Sequence, residues 1–223
     1  MQVIPAINAP DFELAQDLIK KVAGFSGWIH IDVGDGKFSS IKTWGDSKEI
    51  SNFGFRRLGR ASPLAGISDL GIEIHLMVVD PLNHVEDWLK AGAKRLIVHL
   101  EAVHEHDVDN ILKLCQKYGA DLMLAINPQT PVEQLRPYFN KVNFFQVLAV
   151  DPGKAGQNFQ PLVLDKIKFL RQEAPSAKIE VDGGINPETA AAAKKAGADI
   201  AISASYIFSS DNPEEAFREL ENI

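Results

Sequence analysis

Ile179-Glu180-Val181-Asp182-Gly183-Gly184 is an apolar, β-branched run that stops at a carboxylate and is followed at once by two glycines. In a chain of repeating strand–helix units this pattern marks the C-terminal end of a parallel strand. A carboxylate there can face a ligand, and the glycines let backbone N–H groups approach an anion. In isolation the same hexapeptide closes a β-turn before a helix, so its meaning depends on what the chain places beside Asp182.

Moving outward, apolar strand-like runs recur at 3–8, 28–33, 72–78, 95–101, 121–127, 143–150, 178–182 and 199–203. Most are nearly continuous, as expected of parallel strands covered on both faces. Each is followed by a segment of helical periodicity. Leu14, Leu18 and Val22 share one face of the first, and Val108, Ile111, Leu112 and Cys115 share one face of the fourth. Thr130-Pro131-Val132-Glu133 reads as a capping box with Pro at the first helical position. Asn186-Pro187 and Asn212-Pro213 open the seventh and eighth helices in the same way. Eight βα units in 223 residues predict an α/β chain closed into a single (β/α)8 (TIM) barrel domain over 1–223; a doubly wound open sheet is the alternative. The stretch 44–70, with Asn52-Phe53-Gly54-Phe55, Arg56-Arg57, Arg60 and Pro63, predicts a broken helix and an irregular excursion.

Bulk properties narrow the function. The net charge of −7 argues against nucleic acid as a partner. Nothing in the chain is apolar for long enough to span a bilayer, and Met1-Gln2-Val3-Ile4-Pro5 lacks the charged-then-apolar pattern of a signal peptide. The one cysteine, Cys115, cannot form an internal disulfide, which fits a reducing cytoplasm; on an apolar stripe it reads as core rather than nucleophile. A small phosphorylated substrate stays compatible with the acidic balance, because backbone amides bind phosphate whatever the net charge.

In a closed barrel the C-terminal strand ends converge on the catalytic face. His30 and Asp32 lie two apart and so on one side of the second strand; the third brings His75, the fourth His99 and Glu101, the seventh Asp182. His30, Asp32, His75 and Asp182 form a ligand set suited to a divalent cation such as Zn2+, Mn2+ or Fe2+. A single inward histidine is more often a hydrogen-bonded core residue, so the weight lies in the conjunction. His99 and Glu101 are either a core pair or a support behind the ligands. His84, His104 and His106 are expected at the surface. A second group follows the late strands: Gly153, Lys154, Ala155 and Gly156 after the sixth, Gly183 and Gly184 after the seventh, Ala204 and Ser205 after the eighth. Loops in these places commonly build a phosphate site from backbone amides.

With these residues in hand the chain resembles the ribulose-phosphate 3-epimerase family. The matching stretches are Ile4-Pro5-Ala6-Ile7 with Asp11-Phe12, Trp28-Ile29-His30-Ile31-Asp32-Val33-Gly34-Asp35-Gly36, His75-Leu76-Met77-Val78, His99-Leu100-Glu101, Asn127-Pro128-Gln129-Thr130-Pro131, Pro152-Gly153 with Gly156-Gln157, and Val181-Asp182-Gly183-Gly184-Ile185. The resemblance implies a ribulose-phosphate-binding type of barrel and an isomerase of carbohydrate metabolism. It implies one divalent metal ion, Zn2+ first with Fe2+, Mn2+ or Co2+ as alternatives, on His30, Asp32, His75 and Asp182. Asp32 and Asp182 are implied as the acid–base pair, with His75 also against the substrate. The substrate implied is a phosphorylated ketose, ribulose 5-phosphate or another such as allulose 6-phosphate. Barrels of this family often associate, so a homo-oligomer is compatible.

Several positions depart from the family pattern. Ala6 stands where Ser is usual and Asn8 where an apolar residue is usual; both belong to the implied pocket wall. Met77 is retained, but Gly34 and Leu148 stand where methionines usually line the metal site. Lys37 replaces His, Ser39-Ser40-Ile41 replaces a Val-Pro-Asn type stretch, Lys154-Ala155 a Phe-Gly pair, and Ala204 a Gly. The implied ligands and bases are intact, whereas the walls and the phosphate end are altered. An aldolase or decarboxylase on the same barrel is disfavoured: the Asp-x-Lys-x-x-Asp motif of hexulose-phosphate synthase is not met by Asp32-Val33-Gly34-Asp35. A non-catalytic sugar-phosphate-binding barrel is the remaining alternative.

Overall fold

The computed structural model describes residues 1–52 and 70–223. Strands β1 (Gln2–Ile7), β2 (Trp28–Gly34), β3 (Gly71–Met77), β4 (Arg95–His99), β5 (Asp121–Ile126), β6 (Phe144–Leu148), β7 (Lys178–Asp182) and β8 (Ile200–Ser203) pair in sequence order, all parallel. β8 pairs back onto β1, so the barrel is closed and the open-sheet alternative falls. Every expected strand is present, its ends moved by a residue or two.

The helices are α1 (Phe12–Val22), α2 (Ser47–Asn52), α3 (Leu82–Ala91), α4 (Glu105–Tyr118), α5 (Val163–Glu173), α6 (Pro187–Ala196), α7 (Ser205–Phe208) and α8 (Pro213–Glu221). The asparagine caps are as read: Asn186 accepts from the Thr189 amide at 3.0 Å and Asn212 from the Glu215 amide at 3.3 Å. In α4, Val108, Ile111 and Cys115 are buried. In α1 the buried stripe is Ala15, Ile19 and Val22, while Leu14 is 42% exposed. Asp11 caps α1, and the 15/19/22 stripe is the one that meets the barrel, which leaves Leu14 out.

The capping box expected at Thr130 does not form. The segment after β5 is a 3-10 helix (Val132–Tyr138) without a side-chain cap and with Pro137 inside it, which cannot donate to an α-helical ladder. The Thr130 hydroxyl is committed elsewhere, to the Glu101 carboxylate. The excursion expected over 44–70 is seen only at its ends, where Trp44 is buried and α2 is short; 53–69 lie outside the described residues.

The main apolar core fills the shell between strands and helices, where Trp88, Phe145 and Phe217 are fully buried. Inside the barrel the apolar residues divide into two small groups, Ile4, Ala6, Ile200 and Ile202 on one wall and Ile97, Met123 and Ala125 on another. Polar side chains fill the space between: His30, Glu73, Gln146 and Glu180 are wholly buried, with Arg95 nearly so.

Candidate active site

Register places the site residues. Asp32 on β2 lies opposite His75 on β3, and Asp182 on β7 opposite Leu148 on β6. These residues therefore share the C-terminal end of the barrel. His30 and Asp32, two apart, face the same interior. His30 Nε2 is 3.2 Å from Asp32 Oδ1, 3.3 Å from His75 Nδ1 and 3.8 Å from Asp182 Oδ2. His75 Nδ1 is 3.1 Å from Asp32 Oδ1 and 3.4 Å from Asp182 Oδ2. One atom from each residue thus meets around a single point.

The histidine tautomers are set from behind. His30 Nδ1 donates to Glu73 Oε1 at 2.8 Å, and Arg95 donates to Glu73 Oε2 at 2.7 Å. That leaves the Nε2 lone pair of His30 for the cluster. His75 turns its Nε2 to His99 Nε2 at 2.8 Å, while His99 Nδ1 donates to Glu101 Oε2 at 3.3 Å. Neutral His99 then accepts at Nε2, so His75 donates there and keeps its Nδ1 lone pair inward. Burial, with His75 close by, holds the His99 pKa below the ordinary value and keeps it neutral. Glu101 in turn accepts from the Asn127 amide at 2.8 Å and from Thr130. Burial pulls the Glu101 carboxyl up, but its bond to His99, with those to Thr130 and Asn127, holds it down at about 2.

These donors suit a divalent cation. A tetrahedral ion with bonds of about 2.0–2.1 Å has ligand–ligand edges of about 3.3 Å, close to the separations above. Two carboxylates balance a 2+ charge, and each histidine carries a hydrogen-bonded support of the kind that orients metal ligands. Without a cation the same charge balance draws protons. Burial works against charge on His30, but hydrogen bonds to Asp32 and Glu73 outweigh it and raise its pKa well above the ordinary value. For His75 burial is likewise overcome, by Asp182 and Asp32. Burial alone would raise the Asp32 carboxyl, yet hydrogen bonds to His30 and His75 take it far below the ordinary range.

The layer beneath is the part that sequence reasoning missed. Arg95 is sandwiched between Trp28 and Phe144, its guanidinium 4.9 Å and 4.2 Å from their ring centres. Its nearest nitrogen is 2.7 Å from Glu73 but 3.8 Å from Glu180, so it neutralises Glu73. Burial, reinforced by the charge on Glu73, pushes the Glu180 carboxyl well up. A neutral Glu180 costs far less than a second buried anion. His30, Glu73 and Glu180 form another group of metal-ligating type, but Arg95 already supplies its cation. Gln146 Nε2 donates to Glu180 at 3.0 Å and to Asp182 Oδ2 at 3.4 Å, fixing the second carboxylate from below. Strand parity was the available signal: Glu73 stands two before His75, and Glu180 two before Asp182.

The sequence profile of the ribulose-phosphate 3 epimerase family matches residues 2–208. The chain belongs to the ribulose-phosphate 3-epimerase family. A ribulose-phosphate 3-epimerase of Schizosaccharomyces pombe is 31% identical over 99% of this chain and 92% of its own length. Another from Chlamydia muridarum is 34% identical over 94% and 89%. Membership places the chain among isomerases. A crystal structure of 3-hexulose-6-phosphate synthase superposes with a TM-score of 0.71 over 100% of this chain and 99% of that one; at 19% identity it shows the shared fold alone.

Most other residues singled out for this epimerase-family site converge on one cavity at the barrel mouth. Asp32 and Asp182 lie in its wall, with Ala6, Asn8, Met77 and Leu148 beside them. Gly153, Lys154, Ala155 and Gly156 border it from the loop after β6, and Gly183, Gly184, Ala204 and Ser205 from the later loops. His30 and His75 are wholly buried behind the carboxylates. Gly183 and Gly184 have φ of 106° and 66°, and a Cβ would come within 2.4 Å of Val150 and 2.5 Å of the Phe159 amide nitrogen. This backbone must be glycine for packing, whatever it binds. Gly34 is not in the cavity wall: Ser39 and the Ile41 carbonyl approach where its Cβ would stand, at 2.6 Å and 2.7 Å. Phe38, also unforeseen, stacks at a tilt on His99 with ring centres 4.7 Å apart. His84, His104 and His106 are exposed as expected. Cys115 is buried, and burial pushes its thiol up to about 12, so it is no nucleophile. No helix among the described residues is long and apolar enough to cross a membrane.

Proposed function

We infer that the protein epimerises C3 of a ketose phosphate, ribulose 5-phosphate to xylulose 5-phosphate first, with Asp32 and Asp182 as the proton-transfer pair. The observation that carries this is the placement of both carboxylates in the wall of one cavity, each braced on its inner side by His30 and His75. Epimerisation beside a ketone needs a base on one face of C3 and an acid on the other. One carboxylate takes the C3 proton, leaving an enediolate, and the other, entering as the carboxylic acid, delivers a proton to the opposite face. Because both are carboxyl groups the roles exchange for the reverse reaction. His30, Asp32, His75 and Asp182 would hold a divalent cation, Zn2+ first, which would supply positive charge beside the reacting carbons. Gln146 steadies Asp182, and Asn8, donating to Asp32 Oδ2 at 2.9 Å, steadies Asp32.

Amides of Gly183, Gly184, Ala204 and Ser205 suit the phosphate, and Lys154 is the one Lys or Arg among the described residues lining the cavity. Anchoring the remote end orients C3 between the carboxylates. The test is incubation with ribulose 5-phosphate in deuterated water, with Zn2+, Mn2+, Fe2+ or Co2+ supplied in turn. Deuterium at C3 with formation of the epimer is expected. Carbon–carbon cleavage or CO2 release, or binding without exchange, overturns the reading; exchange on a different ketose phosphate alone moves the substrate and keeps the chemistry.

A further inference from the structure

The loop 151–157 lies over the mouth, and the cavity beneath it is about 50 Å3. A shallower space of about 250 Å3 adjoins it, bordered by Asn8, Ala155, Gly156 and Ser205. Sites for small organic ligands run to roughly 300 Å3 and above, so a phosphorylated sugar that reaches the carboxylates displaces this loop. What holds the loop down is therefore part of how the site works. From the barrel body, the Ser40 amide donates to the Pro152 carbonyl at 3.4 Å, and Gln129 reaches Asp151 at 3.2 Å. The shorter bond is from Asn8: its amide nitrogen donates to the Gly153 carbonyl at 2.9 Å and, with its other hydrogen, to Asp32 Oδ2 at 2.9 Å.

We propose that Asn8 is a positioning residue that latches the 151–157 loop to Asp32, so that loop closure and orientation of the Asp32 carboxylate are one event. Asp32 Oδ1 is fixed by both histidines, whereas Oδ2 has Asn8 as its hydrogen-bond partner. The two hydrogens of an amide NH2 lie in one plane at a fixed angle. With both acceptors in place the Asn8 plane is determined, and with it the direction in which Asp32 Oδ2 is held. When the loop lifts, the Gly153 carbonyl leaves and only one bond restrains the amide. A ligand whose anionic end draws Lys154, Ala155 and Gly156 down restores the second acceptor and re-aims Asp32. A neutral ketose lacking that end leaves the loop up and Asp32 unaimed, so phosphate at the far end of the substrate is sensed at the reacting carbon.

The loop half of this inference stands alone; its effect on turnover rests on the acid–base role of Asp32. The experiment compares wild type with Asn8→Leu and Asn8→Asp, both of similar size and both without the donor. Amide hydrogen exchange over 153–156 is measured in the substrate-free protein, and kcat and KM with ribulose 5-phosphate. Loss of one hydrogen bond predicts exchange about 2- to 10-fold faster in both variants. It also predicts that kcat falls about 10-fold or more while KM changes less. Unchanged exchange in Asn8→Leu, or wild-type exchange in Asn8→Asp, overturns the latch. A rise in KM with kcat untouched also overturns it, since Asn8 would then only line the pocket. If the wild-type protein turns over no ketose phosphate, the epimerase reading fails, and the exchange data still decide the latch.

Discussion

One side of the barrel mouth is built of side chains and the other of backbone. On β2, β3 and β7 the proposed chemistry rests on His30, Asp32, His75 and Asp182, each held by a further side chain: Glu73 with Arg95, His99 with Glu101, Gln146, Asn8. After β6, β7 and β8 the wall is mostly backbone of glycine, alanine and serine, with Lys154 as the cation and Asp151 as an anion among the described lining residues. The strand side is rigid, buried and intolerant of change, because each polar atom answers to another that is also out of water. The loop side tolerates change, because a peptide N–H is offered by almost any residue whose φ the turn allows. The departures from the family pattern fall on both sides, at Ala6, Asn8, Gly34 and Leu148 on or beside strands and at Lys154-Ala155 and Ala204 in the loops, yet none touches the four hydrogen-bonded residues His30, Asp32, His75 and Asp182.

The sharpest way to break the contrast is Asp182→Asn. It keeps shape and removes the proposed acid–base group, so turnover should fall about 10^3-fold with the melting temperature near that of wild type. Near-normal turnover would show that the strand side is scaffolding. Arg95→Met comes next. It leaves Glu73 buried without its guanidinium, with only the His30 N–H as partner, which costs up to about 3–5 kcal/mol of stability, and slackens the support of His30, which lowers metal affinity about 10- to 100-fold. Thermal melts and chelator competition measure the two, and unchanged affinity would detach the lower layer from the site.

A third effect is that of pH on metal affinity. The pKa values of His30 and His75 are raised above 6.5 in the folded, metal-free cluster, burial being outweighed by the neighbouring carboxylates. A proton must leave each for a cation to bind. Affinity should therefore rise with pH through and beyond 6.5, by up to about 10-fold per unit for each proton displaced. The same protons stabilise the metal-free protein at low pH and are lost as pH rises through the raised pKa values, so metal-free and metal-loaded protein should diverge in stability as pH climbs. Affinity flat between pH 6 and 8 would mean that the histidines do not ligate. The smallest effect belongs to the loop side: Lys154→Ala should raise KM several-fold and lower kcat only about 2- to 3-fold, since the cation is exposed and the Ala155 and Gly156 amides remain to draw the loop down. A fall in kcat as large as that for Asp182→Asn would erase the distinction between the two sides.

How far the sequence could be read follows from range. Asn186 and Asn212 cap their helices through residues three positions away, a local relation, and both were visible. Thr130 carries the same local signature, yet its hydroxyl goes to Glu101, 29 residues distant, and the cap is lost. Leu14 was misplaced because the phase of α1 depends on which stripe meets the barrel, and the Ala15, Ile19 and Val22 stripe is less conspicuous than the leucines. Glu73, Arg95, Gln146 and Glu180 sat unmarked within apolar runs. Their parity with His75 and Asp182 pointed inward, but nothing local said that Arg95 would neutralise Glu73 rather than Glu180.

The sequence by itself determined the alternation of strands and helices, the count of eight, and which polar residues close each strand, because periodicity and strand parity are properties of neighbouring residues. Only the tertiary structure decided which polar atoms meet. Barrel closure and register bring Asp32 opposite His75 and bring Asn8 against both Asp32 and Gly153. A hydrogen bond or a metal ligand is won or lost over a fraction of an ångström, a distance that no pattern along the chain encodes.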